Sequence, residues 1–161
     1  MFKDSAMDDY KPHYPYPWHC FFDIYDFAHF AELNQAVADL LNDPRTTECS
    51  YNTIDNWNVS AVDSMAKLFL NATSFNQNIG SWNVSNVEIM THMFGGATSF
   101  NQDIGSWNVS NVTDMSGIFL NATSFNQNIA TWNVSSVKSM NMMFLGATSF
   151  NQNIGGWDVS S

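Results

Sequence analysis

The chain has 161 residues with five Lys+Arg against fifteen Asp+Glu, a formal charge of −10. So few cations exclude ordinary nucleic-acid binding, which needs a basic stripe to neutralise phosphates, and argue against docking on an anionic membrane surface. No apolar run approaches the roughly 20 residues of a spanning helix, and the first residues, MFKDSAMDDYKPHYPYP, do not read as a secretory signal.

Residues 1–28 form an arm rich in aromatics and proline, with Tyr14, Tyr16, Trp18, Phe21, Phe22 and Tyr25 among Pro12, Pro15 and Pro17. Proline fixes φ, so the arm is expected to be extended. Its rings either pack on this protein's own cap or anchor the chain to another protein, since Tyr, Trp and Phe dominate interface hot spots. Cys20 and Cys49 are either two buried free thiols or one disulfide from the arm to the end of the following helix. His13, His19 and His29 match no closed ligand pattern, and no metal or other cofactor is expected.

Residues 29–53 read as an N-terminal cap. In FAHFAELNQAVADLL, residues 27–41, Phe30, Leu33, Val37, Leu40 and Leu41 recur at helical spacing. Asp26 is placed to cap the start, and Asn42 with Pro44 to stop the helix. An amphipathic helix here would cover the apolar end of whatever follows.

Residues 54–161 repeat with a period of 25: Trp57, Trp82, Trp107, Trp132 and Trp157 are in step, with Ile three residues before each and Val two after it. Four full units and a partial fifth result, and a fixed period of this size is the signature of stacked repeats. Trp82 and Val84, two apart, suggest a short strand. Val87, Met90, Phe94 and Ala97 then fall at helical spacing, with Ser85 and Glu88 as a capping box. The expected fold is therefore an α/β solenoid, a right-handed, leucine-rich-repeat-like coil of short parallel strand, short helix and loop. Identical residues would stack as interior columns at a strand-like spacing of about 4.7–5 Å.

The polar positions repeat as faithfully. Asn76, Asn101, Asn126 and Asn151 read as an internal ladder that satisfies loop backbone groups. Variation gathers at 63, 88, 113 and 138 (Asp, Glu, Thr, Lys) and at 67, 92, 117 and 142 (Lys, His, Gly, Met). No phosphate-cradling glycine loop, HExxH or GxSxG occurs, so no catalytic residue is assigned and an enzyme is not expected.

The stretch SFNQDIGSWNVSNVTDMSGIF, residues 99–119, closely resembles the bacterial surface-protein 26-residue repeat, a BspA-like, divergent leucine-rich-repeat family; residues 32–60 look like its helical lead-in. The resemblance covers roughly 32–161, with a unit of 25 residues in place of 26, and leaves the arm outside. It implies a cell-surface or extracellular interaction protein with no catalytic residues to carry over. The functional expectation is a non-catalytic repeat scaffold that presents an extended surface to a protein or other macromolecule, with the aromatic arm as anchor and possible membership of a larger assembly. The coil around Trp157 to Ser161 carries no cap, which suggests a fragment or end-to-end self-association. The competing expectation is recognition of a repetitive surface, such as ice, mineral or glycan, by the Asn/Ser/Thr ladders, including Thr73, Thr98, Thr123 and Thr148.

Overall fold

A computed structural model describes residues 27–42 and 54–160. Its one α-helix among the described residues, α1, spans Phe30–Asn42. Leu33 and Val37 are buried on one face of α1 and join Phe27 in the same apolar core as Trp57 and the repeats. The Phe27 ring lies tilted on Trp57 at 5.2 Å, and its amide donates to the Asn58 carbonyl at 3.1 Å. The Glu32 side chain reaches back to accept from the Ala28 amide, which satisfies a donor just before the first turn. Asp26 and Pro44 lie outside the described residues.

The repeats are not an α/β solenoid, and the expected strand-plus-helix unit of the leucine-rich-repeat class does not form. After α1 the only helical element among the described residues is a single 3₁₀ turn, Ile54–Asn56. Extended pairing between described residues consists of isolated parallel bridges, Ser64 to Ile89, Ile89 to Asp114 and Asp114 to Ser139. These bridges fall where the sequence suggests the first helical turn, while the expected strand around Trp82 and Val84 is irregular backbone between two turns, at 80–81 and 85–86.

The physical reason lies in the hydrogen bonds. In the second unit (residues 82–106, counted from its Trp) the amides of Val87, Met93, Ala97 and Phe100 donate to carbonyls three residues back, those of Val84, Met90, Phe94 and Ala97. A chain of tight turns brings an apolar side chain inward about every third residue, the same spacing that a helix face shows. A helix is then broken twice in each unit by left-handed backbone: Lys67 and Asn71, His92 and Gly96, Gly117 and Asn121, Met142 and Gly146 all have φ between 54° and 76°. Left-handed residues rotate peptide groups out of the helical direction, so alternate amides leave the unit. Met90, His92, Phe94 and Gly96 donate to the carbonyls of Asp114, Ser116, Ile118 and Leu120 at 2.7–2.9 Å. The first and third units repeat this pattern from Met65 to Asn71 and from Met115 to Asn121. Glu88, Thr113 and Lys138 donate in the opposite sense to Asp63, Glu88 and Thr113 at 2.7–2.8 Å. Ser85 and Glu88 consequently cap no helix.

Units therefore lie one upon the next, and like side chains meet in columns. Trp57 and Trp82, Trp107 and Trp132, and Trp132 and Trp157 are stacked at 6.5 Å with interplanar angles of 14° or less. Phe69, Phe94, Phe119 and Phe144 follow each other at 5.5–5.8 Å, and Phe75, Phe100, Phe125 and Phe150 at 5.9–6.0 Å. These separations exceed the strand-like spacing expected; near-parallel rings avoid face-to-face eclipse by sliding, which lengthens the centroid distance. Four indole N–H groups also reach 28 residues back along the chain: Trp82, Trp107, Trp132 and Trp157 Nε1 donate to the carbonyls of Ile54, Ile79, Ile104 and Ile129 at 2.8–3.2 Å. The tryptophan column thus supplies both area and a hydrogen bond across every junction it spans, as buried indoles require.

A second left-handed column alternates in sequence: Asn71, Gly96, Asn121, Gly146. A Cβ on Gly96 would collide with Asn71 Oδ1, and one on Gly146 with Asn121 Oδ1. Asparagine tolerates φ > 0 and glycine leaves room for it, so the pair solves strain and crowding together. Gly96→Ala is expected to destabilise by about 1–3 kcal/mol in urea unfolding, combining left-handed strain with the clash. Adding Asn71→Gly should recover part of that loss; a double variant no better than the sum of its singles would show that the two residues do not share this space.

Candidate functional site

Polar groups at the surface are mostly spent on the fold. In the asparagine ladder, Asn76, Asn101 and Asn126 Oδ1 accept from the backbone amides of Asn101, Asn126 and Asn151, each at 2.9 Å. Gln102, Gln127 and Gln152 Nε2 add bonds to the same oxygens at 2.9–3.0 Å. These asparagine oxygens are committed to the next unit. Thr98 and Thr123 hydroxyls likewise donate to the Thr73 and Thr98 carbonyls.

A second set of side-chain oxygens shapes the turns after tryptophan. Asn58, Asn83, Asn108, Asn133 and Asp158 Oδ1 accept from the amide two residues on, at 3.1–3.2 Å. Asn78, Asp103, Asn128 and Asn153 do the same at 2.9–3.0 Å. Only an acceptor is needed in such a turn, which is why aspartate replaces asparagine at 103 and 158. At Asp158 the Ser160 hydroxyl and then its amide hold the carboxyl below its ordinary range.

The same logic makes a test of the ladder. Asn101→Ala removes the acceptor of the Asn126 amide and one of the two Asn101 oxygens that Gln127 Nε2 bonds, the backbone carbonyl at 2.9 Å remaining, and should cost about 1–2 kcal/mol; Asn101→Asp keeps both side-chain bonds and should cost less. Thermal or urea unfolding reads the difference, and equal losses would remove the ladder's claimed role.

Departures from the repeat collect on one flank, where the bridges set Ser64, Ile89, Asp114 and Ser139 side by side. Asp63, Glu88 and Lys138 are exposed there, and Ile89 is 40% exposed despite its apolar side chain. Asp114 is the polar centre. Burial alone would raise its pKa, but the Ser116 hydroxyl and amide and the Thr91 hydroxyl, with His92 close by, hold it below the ordinary carboxylate value. Ser116 Oγ continues the network to Ser139 Oγ at 2.7 Å.

His92 lies over the next unit. A Cβ at Gly117 would stand 2.7 Å from its Nε2, so glycine at this one rung is the seat of the imidazole. His92 Nδ1 is buried and has no hydrogen-bond partner among the described residues. Asp114 bonds Ser116 and Thr91 rather than this ring, so the trio does not form a base–orienter relay. Among the described residues no group of three or more His, Cys, Asp or Glu is placed to hold a metal ion.

The proposed partner-binding residues Tyr14, Tyr16, Trp18, Phe21, Phe22 and Tyr25, and both Cys20 and Cys49, lie outside the described residues. What the residue-type reading missed is the Asp114 network and the His92–Gly117 pairing. Their signal was present only as variation: Thr91, His92 and Asp114 stand at registers that change from unit to unit, with Ala66, Ser116 and Asn141 at the first, Lys67, Gly117 and Met142 at the second, and Ser64, Ile89 and Ser139 at the third.

A family model described as "Mycoplasma protein of unknown function, DUF285" matches residues 41–157, most of the chain. The chain belongs to this family. Its match begins within α1 and runs through the fourth unit to the last tryptophan, so DUF285 membership rests on the same repeats that build the columns. No curated protein and no solved structure matches the chain. No helix among the described residues is long and apolar enough to cross a membrane.

Proposed function

We propose that this DUF285 protein is a non-catalytic interaction scaffold whose individual flank, around Glu88, Ile89, Asp114 and Lys138, meets a protein or other macromolecular partner. One observation carries the reading. Columns and turn-forming side chains repeat almost unchanged, whereas residue type changes from unit to unit on this flank, where Ile89 is left 40% exposed. A surface that must be recognised needs such unevenness, because identical rungs present the same chemistry at every position. The aromatic arm, residues 1–28, is proposed as the second point of attachment, since Tyr, Trp and Phe are the commonest anchors of interfaces. Placement at the cell surface or outside the cell, and kinship with the BspA-like 26-residue repeat in particular, rest on the resemblance of residues 99–119.

The test is affinity capture with three chains: the full protein, one lacking residues 1–28, and Glu88→Lys/Ile89→Asp/Lys138→Glu. These three positions are exposed, so the fold should survive. The flank variant is expected to lose the partner, and the arm deletion to weaken its capture. Should both retain every partner at unchanged affinity, the reading fails.

A further inference from the structure

We draw no further inference here: the strongest candidate, the apolar face of the fourth and partial fifth units around Met142, Leu145, Phe150 and Trp157, is well exposed at Met142 and Leu145, but nothing in the structure shows what covers it.

Discussion

Phe94→Ala should destabilise the protein by about 3–5 kcal/mol, near the top of the range for a single buried ring. Phe94 is fully buried and touches rings on four sides: Phe69 at 5.5 Å, Phe100 at 4.0 Å, Trp107 at 6.3 Å and Phe119 at 5.8 Å. Its neighbours sit in columns fixed by backbone bonds, at Met90 and Gly96 among others, so they cannot collapse into the space left behind. The effect should reach beyond stability. Each unit contacts only those beside it, so a cavity in the second unit weakens the coupling between α1 with the first unit and the third with the fourth. Urea unfolding should therefore show a lower midpoint and a shallower slope as the two halves part company. Phe94→Leu keeps most of the volume and gives up ring pairing, worth about 0.5–1.5 kcal/mol per pair, so it should fall between wild type and alanine. Phe150→Ala, at a half-buried ring in the fourth unit, is the internal control and should cost less. A Phe94→Ala protein within 1 kcal/mol of wild type, or no worse than Phe150→Ala, would sink this account of the core.

The columns were legible in the sequence because stacking rewards sameness. Trp82 meets Trp57 in a parallel orientation, and Phe100 meets Phe75 and Phe125 in the same way, so any drift at these positions costs packing twice. Hence the period of 25, and with it the identity of the buried positions, could be read without coordinates. The backbone could not be read so directly. An apolar residue every three or four positions fits a helix and a succession of turns alike, and the serine and acid before Met90 strengthen the wrong alternative. The discriminating signal was the column Asn71, Gly96, Asn121, Gly146 together with Gly117, the residue types that accept left-handed φ at fixed places where a helix would need right-handed backbone. Lys67, His92 and Met142 hide the other half of that signal, since nothing in their chemistry announces φ near 60°. The candidate site was less legible still. Its pieces, Ile89, Asp114 and Lys138, lie 25 residues or so apart and become neighbours only because the units stack in register.

Register also explains what the polar repetition does within the fold. Asn101 and Asn126 look like an outward ladder in one dimension, yet each gives its oxygen to the next amide. Asparagine and aspartate exchange freely at 78/103 and at 133/158 because a turn asks only for an acceptor. Where a side chain serves the neighbouring unit, its identity is held by the fold. Where it does not, as at Glu88, Ile89 and Lys138, it is free to vary, and recognition can be built there.

The tryptophan column separates burial from hydrogen bonding. Trp107→Ala should cost about 3–5 kcal/mol, because the indole is almost wholly buried, stacked on Trp132 at 6.5 Å and in contact with Phe94. Trp107→Phe retains a ring but removes the indole donor, now at 3.2 Å, from the Ile79 carbonyl, which keeps the Trp82 amide at 3.1 Å, and should cost about 1–3 kcal/mol from the lost bond and a partial void. Trp157→Ala lies at a half-buried position and should cost less than Trp107→Ala, although its Nε1 makes the same bond to Ile129. Combining Trp107→Ala with Phe94→Ala enlarges one shared cavity in place of opening two, so the double variant should fall short of additivity by about 0.5–3 kcal/mol. Phe69→Ala, which has no direct ring contact with Trp107, provides the additive reference and should sum with Trp107→Ala to within about 0.5 kcal/mol. Urea unfolding of the wild type and the five single and double variants measures every arm of the two cycles. If the Trp107/Phe94 pair proves as additive as the Trp107/Phe69 pair, the two columns do not bear on one another and the core is not the single body that their contacts describe.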